Sequence, residues 1–241
     1  MAEPLLRLSG VHTHIGRYHI LHGVDLEVPA GETTLLLGRN GAGKTTTLRT
    51  IMGLWTAGAG AIAFDGRPIT ALPTPDIARL GIAYVPERMG IFASLTVREN
   101  LLLATGRAGF ANAGLEEVLS LFPILRQKFA LPAGTLSGGQ KQMLAIGRAI
   151  IEPRRLLVVD EPTKGLAPGV IDQLIQAFRR LQASRTTILL VEQNFHMARA
   201  LGDHVAVMDD GRIVHAGPMA ALAADAALQS RLLGLALASH Q

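Results

Sequence analysis

The segment Gly38-Arg39-Asn40-Gly41-Ala42-Gly43-Lys44-Thr45-Thr46 fits the pattern G-x-x-x-x-G-K-[ST]. No other feature limits the possible fold as strongly. The pattern works only between a buried strand and a helix, because glycines must turn successive backbone N–H groups inward without side-chain clashes. Both neighbours are present. Thr33 to Leu37 is an apolar run of strand length, and a helical pattern extends from about Lys44 to Met52. Converging amides at a helix N-terminus favour a polyphosphate. Lys44 is placed to reach β- and γ-phosphates, and the Thr45 hydroxyl to ligate Mg²⁺.

A second element completes this chemistry. Leu156-Leu157-Val158-Val159-Asp160-Glu161 is an apolar strand ending in two carboxylates. Asp160 would lie near the Mg²⁺ shell. Glu161, one step further out, could polarise an attacking water.

Short strands alternate with helical patterns along most of the chain. Leu5 to Val11, Val24 to Val28 and Ala61 to Phe64 read as early strands, with a tight turn at Asp65-Gly66; Ile82 to Val85 follows, stopped by Pro86. From about Ser94 to Ile151 the strand signal disappears. Thr96 and Glu99 form a capping box ahead of Leu101 to Leu103, and further helix is expected at Leu115 to Phe122 and Gly138 to Ile151. Alternation resumes with strands at Leu156 to Val159 and Thr187 to Val191, and helices at Gly169 to Gln182 and Phe195 to Leu201. A hairpin, His204 to Met208 and Arg212 to His215, then turns at Asp210-Gly211, and the Ala/Leu-rich tail beyond Pro218 reads as helical. The expected architecture is α/β: a mostly parallel sheet with an inserted helical lobe.

Composition agrees and excludes several alternatives. The 241 residues are 49% apolar and 4% aromatic, with a net charge of +4 spread over isolated or paired Arg and Lys. Arg154-Arg155 and Arg179-Arg180 read as solvated surface, not as a nucleic-acid groove. Absence of cysteine excludes disulfides and thiolate metal sites and fits a reducing cytoplasm. The start carries Glu3 and too short an apolar stretch for a signal peptide, and no apolar run approaches the ~20 residues that span a bilayer. Work at a membrane would therefore proceed through a partner. His12, His14, His19 and His22 cluster near the start without a Cys or paired carboxylate to complete a metal shell.

Leu136-Ser137-Gly138-Gly139-Gln140 opens the last helix of the inserted lobe. Ser137 reads as an N-cap, and the two glycines as leaving backbone N–H groups uncovered, which makes a second anion site. Two phosphate-binding ends in different lobes suggest a head-to-tail sandwich, with each nucleotide between one chain's Gly38–Thr46 loop and the other chain's Ser137.

Over nearly its whole length the sequence resembles the ATP-binding subunits of ABC transporters. The resemblance is carried, in order, by the P-loop, Val85-Pro86-Glu87, LSGGQ, Leu156 to Glu161 and Val191-Glu192-Gln193. It implies a P-loop ABC ATPase with an antiparallel N-terminal β subdomain, divided as a core of residues 1–93 and 152–241 and a signature lobe of residues 94–151. It also implies ATP and Mg²⁺ as cofactors, phosphate binding by Gly38 to Thr46, and adenine stacking on Tyr18. Ser137 to Gln140 would hold the partner's nucleotide. Thr45, Glu87 and Asp160 would hold the metal, with Lys44, Glu161 and Gln193 catalytic.

Gly134 to Ala149, Gly165-Leu166-Ala167-Pro168 and Val191-Glu192-Gln193-Asn194 are similar to the LivF-type branch, which powers import of branched-chain amino acids. That likeness implies a second ATP-binding subunit, two membrane permeases, a periplasmic binding protein and a place at the cytoplasmic face of the inner membrane. The related urea and short-chain amide importers are the alternative, and a soluble ABC ATPase acting on DNA or ribosomes a more distant one. A regulatory subunit that binds ATP without useful hydrolysis is opposed by intact Lys44, Asp160 and Glu161.

Three positions depart from the wider family. Glu87 stands where a Gln usually faces Mg²⁺ and water, adding negative charge near the γ-phosphate. Gln193 stands at the switch position usually held by His, and an amide carries no positive charge. Ala167 replaces a frequent Asp in the loop after Glu161. They suggest an asymmetric heterodimer in which the site built on Lys44 hydrolyses slowly and Ser137 completes a faster one. By the family likeness the segment Arg88 to Phe92 is expected to meet the membrane subunits; an exposed loop with one buried Phe is the alternative.

Overall fold

The computed structural model describes residues 3–105 and 114–234. Part of the predicted lobe, residues 106–113, and the tail end, 235–241, lie outside the described residues. Two sheets organise the chain. The first is antiparallel, of β1 (Leu6–Ile15), β2 (Tyr18–Val28), β4 (Ala57–Phe64) and β5 (Arg67–Pro68), in the order β2-β1-β4-β5. The second contains β3 (Thr33–Leu37), β6 (Ile82–Val85), β7 (Leu156–Asp160), β8 (Thr187–Val191), β9 (His204–Asp209) and β10 (Arg212–Pro218). Its order is β10-β9-β3-β8-β7-β6, parallel except for the β9/β10 hairpin.

The inner strands β3, β7 and β8 are buried at every residue, the pattern of a parallel sheet covered on both sides. Because successive side chains point to opposite faces, each strand feeds two cores. Leu35, Leu37, Leu157, Val159, Ile188 and Leu190 pack with the helices, among them α6 (Gly138–Ile150), α7 (Pro168–Ala183) and α8 (Phe195–Leu201). Leu36, Leu156, Val158, Leu189 and Val191 pack with the antiparallel sheet and α1 (Lys44–Ile51).

β6 and β7 are parallel neighbours, Ile82 opposite Leu156, yet the connection between them carries α3 (Val97–Leu102), α4 (Gly114–Leu121), α5 (Pro123–Gln127) and α6. This crossover is the inserted helical segment. α3 begins at the predicted capping box: Glu99 N–H donates to Thr96 Oγ1 at 3.1 Å, and the Glu99 carboxylate accepts from Thr96 N–H at 2.7 Å.

The early strands run further than the sequence reading gives them. β1 and β2 continue through the histidines, pairing His12 with His22, His14 with His19 and Ile15 with Tyr18. β4 begins at Ala57, because the Ala/Gly stretch 57–61 borrows its register from β1 rather than from strand propensity. Short α2 (Thr74–Arg79) and α5 give too few residues for a visible helical period. The tail folds as α9 (Met219–Ala224) and α10 (Ala226–Leu233).

Candidate active site

Strand order gathers four segments at one edge of the parallel sheet. The Gly38–Thr46 loop leaves β3, Glu87 follows β6, Asp160 and Glu161 end β7, and Gln193 follows β8. The carboxyl edge of parallel strands is where α/β sheets bind ligands.

The loop has the shape its glycines require. Gly38 (φ 145°) has no room for a side chain, since a Cβ would lie 2.2 Å from the Met208 carbonyl oxygen. Gly43 (φ 108°) caps α1 in a conformation that L side chains rarely adopt. Ala42 N–H donates to Arg39 O at 3.2 Å, and Ala42 O accepts from Gly211 N–H at 2.9 Å, so the β9/β10 turn braces the loop. The N–H groups of Gly41, Gly43, Lys44 and Thr45 have no acceptor among the described residues. Thr46 O accepts from the Thr50 hydroxyl at 2.8 Å inside α1.

Lys44 is almost fully buried. Its ammonium donates to the carbonyls of Gly38 (2.8 Å) and Arg39 (2.9 Å) and lies 3.6 Å from Glu161 Oε1. Burial lowers its pKa, and the Glu161 and Asp160 charges oppose that shift.

Asp160 is fully buried, yet no ion pair neutralises it among the described residues. It accepts from the Thr45 hydroxyl at 3.1 Å and the Tyr84 hydroxyl at 3.3 Å. Desolvation pushes its pKa up, assisted by the charges of Glu161 and Glu87 and opposed by those hydroxyls. A buried carboxylate with no ion-pair partner among the described residues, beside a hydroxyl, is a donor set that suits a hard divalent cation. Burial also drives the Tyr84 hydroxyl up to about 12, so it stays a donor.

Glu161 occupies a left-handed conformation (φ 45°), fixed by its N–H bond to Val191 O at 2.9 Å. Such strain in a non-glycine residue persists where surrounding structure over-determines it. Its Oε1 accepts from Gln193 Nε2 at 2.5 Å, and the same amide donates to Asn40 Oδ1 at 2.6 Å. Gln193 therefore bridges the loop and the carboxylate. Arg39 extends instead toward Gly234, and with Asn40, Gln193 and Phe195 it lines a cleft of ≈ 340 Å³. Behind the bridge, buried Glu192 accepts from the N–H groups of Thr163 (3.1 Å), Gln193 (3.0 Å) and Asn194 (3.0 Å). It ties the loop after β7 to the turn after β8.

Glu87 is ion-paired to Lys164, whose ammonium is 2.6 Å from Glu87 Oε1 and 3.7 Å from Glu161 Oε2. Lys164, Tyr84 and the capping role of Glu192 were missed in the sequence. Only Lys164 left a signal there, three residues beyond Glu161.

Tyr18 is the first residue of β2. It is 60% exposed, with the Arg17 guanidinium 5.3 Å from its ring centre. The other predicted anion site stands apart: among the described residues no hydrogen bond or ion pair joins Ser137–Gln140 to the Gly38–Thr46 loop. Ser137 caps α6, accepting from Gln140 N–H at 3.4 Å while the Gln140 side chain accepts from Ser137 N–H at 3.1 Å. The two glycines are not equivalent in their packing. Gly138 is exposed, whereas a Cβ on buried Gly139 would lie 2.5 Å from Val170 Cγ1, so Gly139 serves helix packing.

The four histidines meet on the β1/β2 ribbon. His14 stacks on His19 with ring centres 4.1 Å apart, and His12 Nδ1 is 3.0 Å from His19 Nε2. Among the described residues no group of three or more such side chains could hold a metal ion.

Comparison with known proteins gives the same picture. Residues 21–164 match the family described as ABC transporter. The chain is 40% identical over 233 residues to the high-affinity branched-chain amino acid transport ATP-binding protein BraG of Pseudomonas aeruginosa, covering 95% of this chain and 100% of that one. It is 37% identical over 216 residues to the probable branched-chain amino acid transport ATP-binding protein LivF of Archaeoglobus fulgidus, covering 88% and 92%. The crystal structure of the ADP conformation of MJ1267, an ATP-binding cassette of an ABC transporter, superposes with TM-score 0.81 at 27% identity, over 97% of this chain and 100% of that one. With the P-loop, the paired carboxylates and the capped LSGGQ helix placed on that fold, this chain belongs to the ABC transporter family as an ATP-binding, ATP-hydrolysing subunit.

Proposed function

We propose that this subunit powers uptake of branched-chain amino acids. The observation that carries the motor part is the convergence of Lys44, Asp160, Glu161 and Gln193 at one sheet edge. Similarity to BraG and LivF over nearly the whole chain supports the solute.

The phosphates lie along Gly38 to Thr46, and adenine stacks on Tyr18. The Thr45 hydroxyl and the Asp160 carboxylate would hold Mg²⁺, with Glu87 as a further carboxylate at the same sheet edge. When bound, Mg²⁺ neutralises charge on the phosphate oxygens. Glu161 orients and deprotonates the attacking water, helped by the Gln193 amide. Lys44 exchanges its carbonyl partners for phosphate oxygens.

Ser137 to Gln140 face a second ATP-binding subunit's nucleotide, because among the described residues no hydrogen bond or ion pair joins them to this chain's own loop. Residues 1–93 and 152–241 act as the core, and residues 94–151 as the signature lobe. No described helix is long and apolar enough to cross a membrane. The subunit works at the cytoplasmic face beneath two permeases, which a solute-binding protein supplies. The segment Arg88 to Phe92 meets those permeases. Arg148 of α6 supports this reading, donating to Gly90 O at 2.5 Å and lying 5.1 Å from the exposed Phe92 ring centre.

Two experiments test the proposal. In vesicles carrying the whole transporter, ATP-driven uptake of labelled leucine is expected; uptake of urea without leucine would assign it to the amide importers instead. For asymmetry between the two sites, Glu161→Gln in this chain is compared with the matching change in the partner subunit. Loss of turnover from this chain's change alone would overturn a slow site here.

A further inference from the structure

Glu87, Asp160 and Glu161 put three carboxylates at the edge of the sheet that receives a polyphosphate. Their mutual influence is visible, since the Glu161 and Glu87 charges both raise the pKa of Asp160. Two ammonium groups oppose them. Lys44 stands beside Glu161, and Lys164 stands between Glu87 and Glu161, at 2.6 Å and 3.7 Å. Those two carboxylates follow different strands, β6 and β7, and Lys164 spans them from the loop after β7. Its own pKa is raised, by the hydrogen bond and charge of Glu87 first and by Glu161 next.

We propose that Lys164 is the positioning residue that makes a carboxylate at position 87 compatible with nucleotide. It cancels the Glu87 charge and fixes that side chain beside the catalytic loop. Without Lys164, three carboxylates would face the phosphates with Lys44 as the one cation remaining among these five groups. With a neutral amide at 87, Lys164 would have little to compensate. The inference rests on the nucleotide-binding reading of the site.

The test is equilibrium binding of a fluorescent ATP analogue in EDTA and in Mg²⁺, to wild type, Lys164→Gln, Glu87→Gln and the double variant, with thermal melting as the folding check. Lys164 and Glu87 are partly exposed, so the effect is modest. Lys164→Gln should weaken binding about 2–5-fold at low salt, and the loss should shrink as ionic strength rises to about 0.5 M. Adding Glu87→Gln should restore affinity to within about twofold, because the pair becomes neutral. A structural role for Lys164 would leave the salt dependence unchanged and the double variant no better than the single. Equal affinity of Lys164→Gln and wild type, or a double variant as weak as Lys164→Gln, would overturn the inference. Failure of the wild type to bind nucleotide would instead overturn the assignment of the site.

Discussion

Replacing Glu161 by Gln should nearly abolish ATP hydrolysis while sparing the fold and nucleotide binding. The magnitude follows from what the carboxylate touches. Its side chain is about nine-tenths buried, with Lys44 at 3.6 Å, Lys164 at 3.7 Å and the Gln193 amide at 2.5 Å. Neither cation is left unpartnered by the change, because Lys44 keeps two carbonyls and Lys164 keeps Glu87. The melting temperature should therefore move by no more than about 2–4 °C, the equivalent of 1 kcal/mol in a domain of this size. The lost function is larger. An amide of the same shape cannot take a proton from water, and a positioned base contributes about 10²–10⁴-fold, or roughly 3–5 kcal/mol of barrier. Removing a negative charge beside the phosphates should also hold ATP at least as tightly as in the wild type. The assay is single-turnover hydrolysis with saturating ATP, paired with equilibrium ATP binding and a thermal melt. In the assembled transporter the partner subunit carries its own inactivating change, so that only this chain's site is read. A variant that keeps hydrolysis within about tenfold of the wild type would refute Glu161 as the base.

Three further outcomes are expected. Gly139→Ala should lower the melting temperature by an amount equivalent to about 1–3 kcal/mol of overpacking against Val170, whereas Gly138→Ala, whose Cβ would find Leu166 Cδ2 at 3.9 Å, should leave it unchanged; equal effects would contradict the packing role. In nucleotide-free, metal-free protein, Asp160→Asn should raise the melting temperature at neutral pH. Burial raises the folded pKa of Asp160, so its ionisation destabilises the fold as pH rises above the unfolded value, and the gain should vanish below pH about 4. Tyr18→Ala should weaken ATP binding by about 1–3 kcal/mol, the worth of one stacked base, while pyrophosphate binding and thermal stability stay as in the wild type. A parallel loss of pyrophosphate binding would remove Tyr18 from the adenine site.

Much of this molecule was legible because the signals are local. The Gly38–Thr46 loop needs glycine where φ is positive, and the capping boxes at Thr96 and Ser137 link groups three residues apart. β3 and β8 occupy the expected spans, since a strand buried on both faces must be apolar throughout. The candidate site was less legible. The Gln193–Asn40 bond spans 153 residues, the Lys164–Glu87 bond spans 77, and Tyr84 reaches Asp160 across 76. Residue types suggested each participant except Tyr84, Lys164 and the capping role of Glu192, but nothing in their spacing announced the pairings.

The sequence by itself determined that this chain carries a phosphate-binding loop and a strand ending in paired carboxylates, because those properties reside in short segments with their own geometry. Tertiary structure decided how charge is shared among them. The order β3-β8-β7-β6 sets which strand ends are neighbours, and chain order does not dictate that order. It places Lys164 between Glu87 and Glu161, gives Gln193 both Asn40 and Glu161 as acceptors, and turns Gly139 into a packing contact while Gly138 stays open. Charges a few ångströms apart interact strongly whatever their separation along the chain.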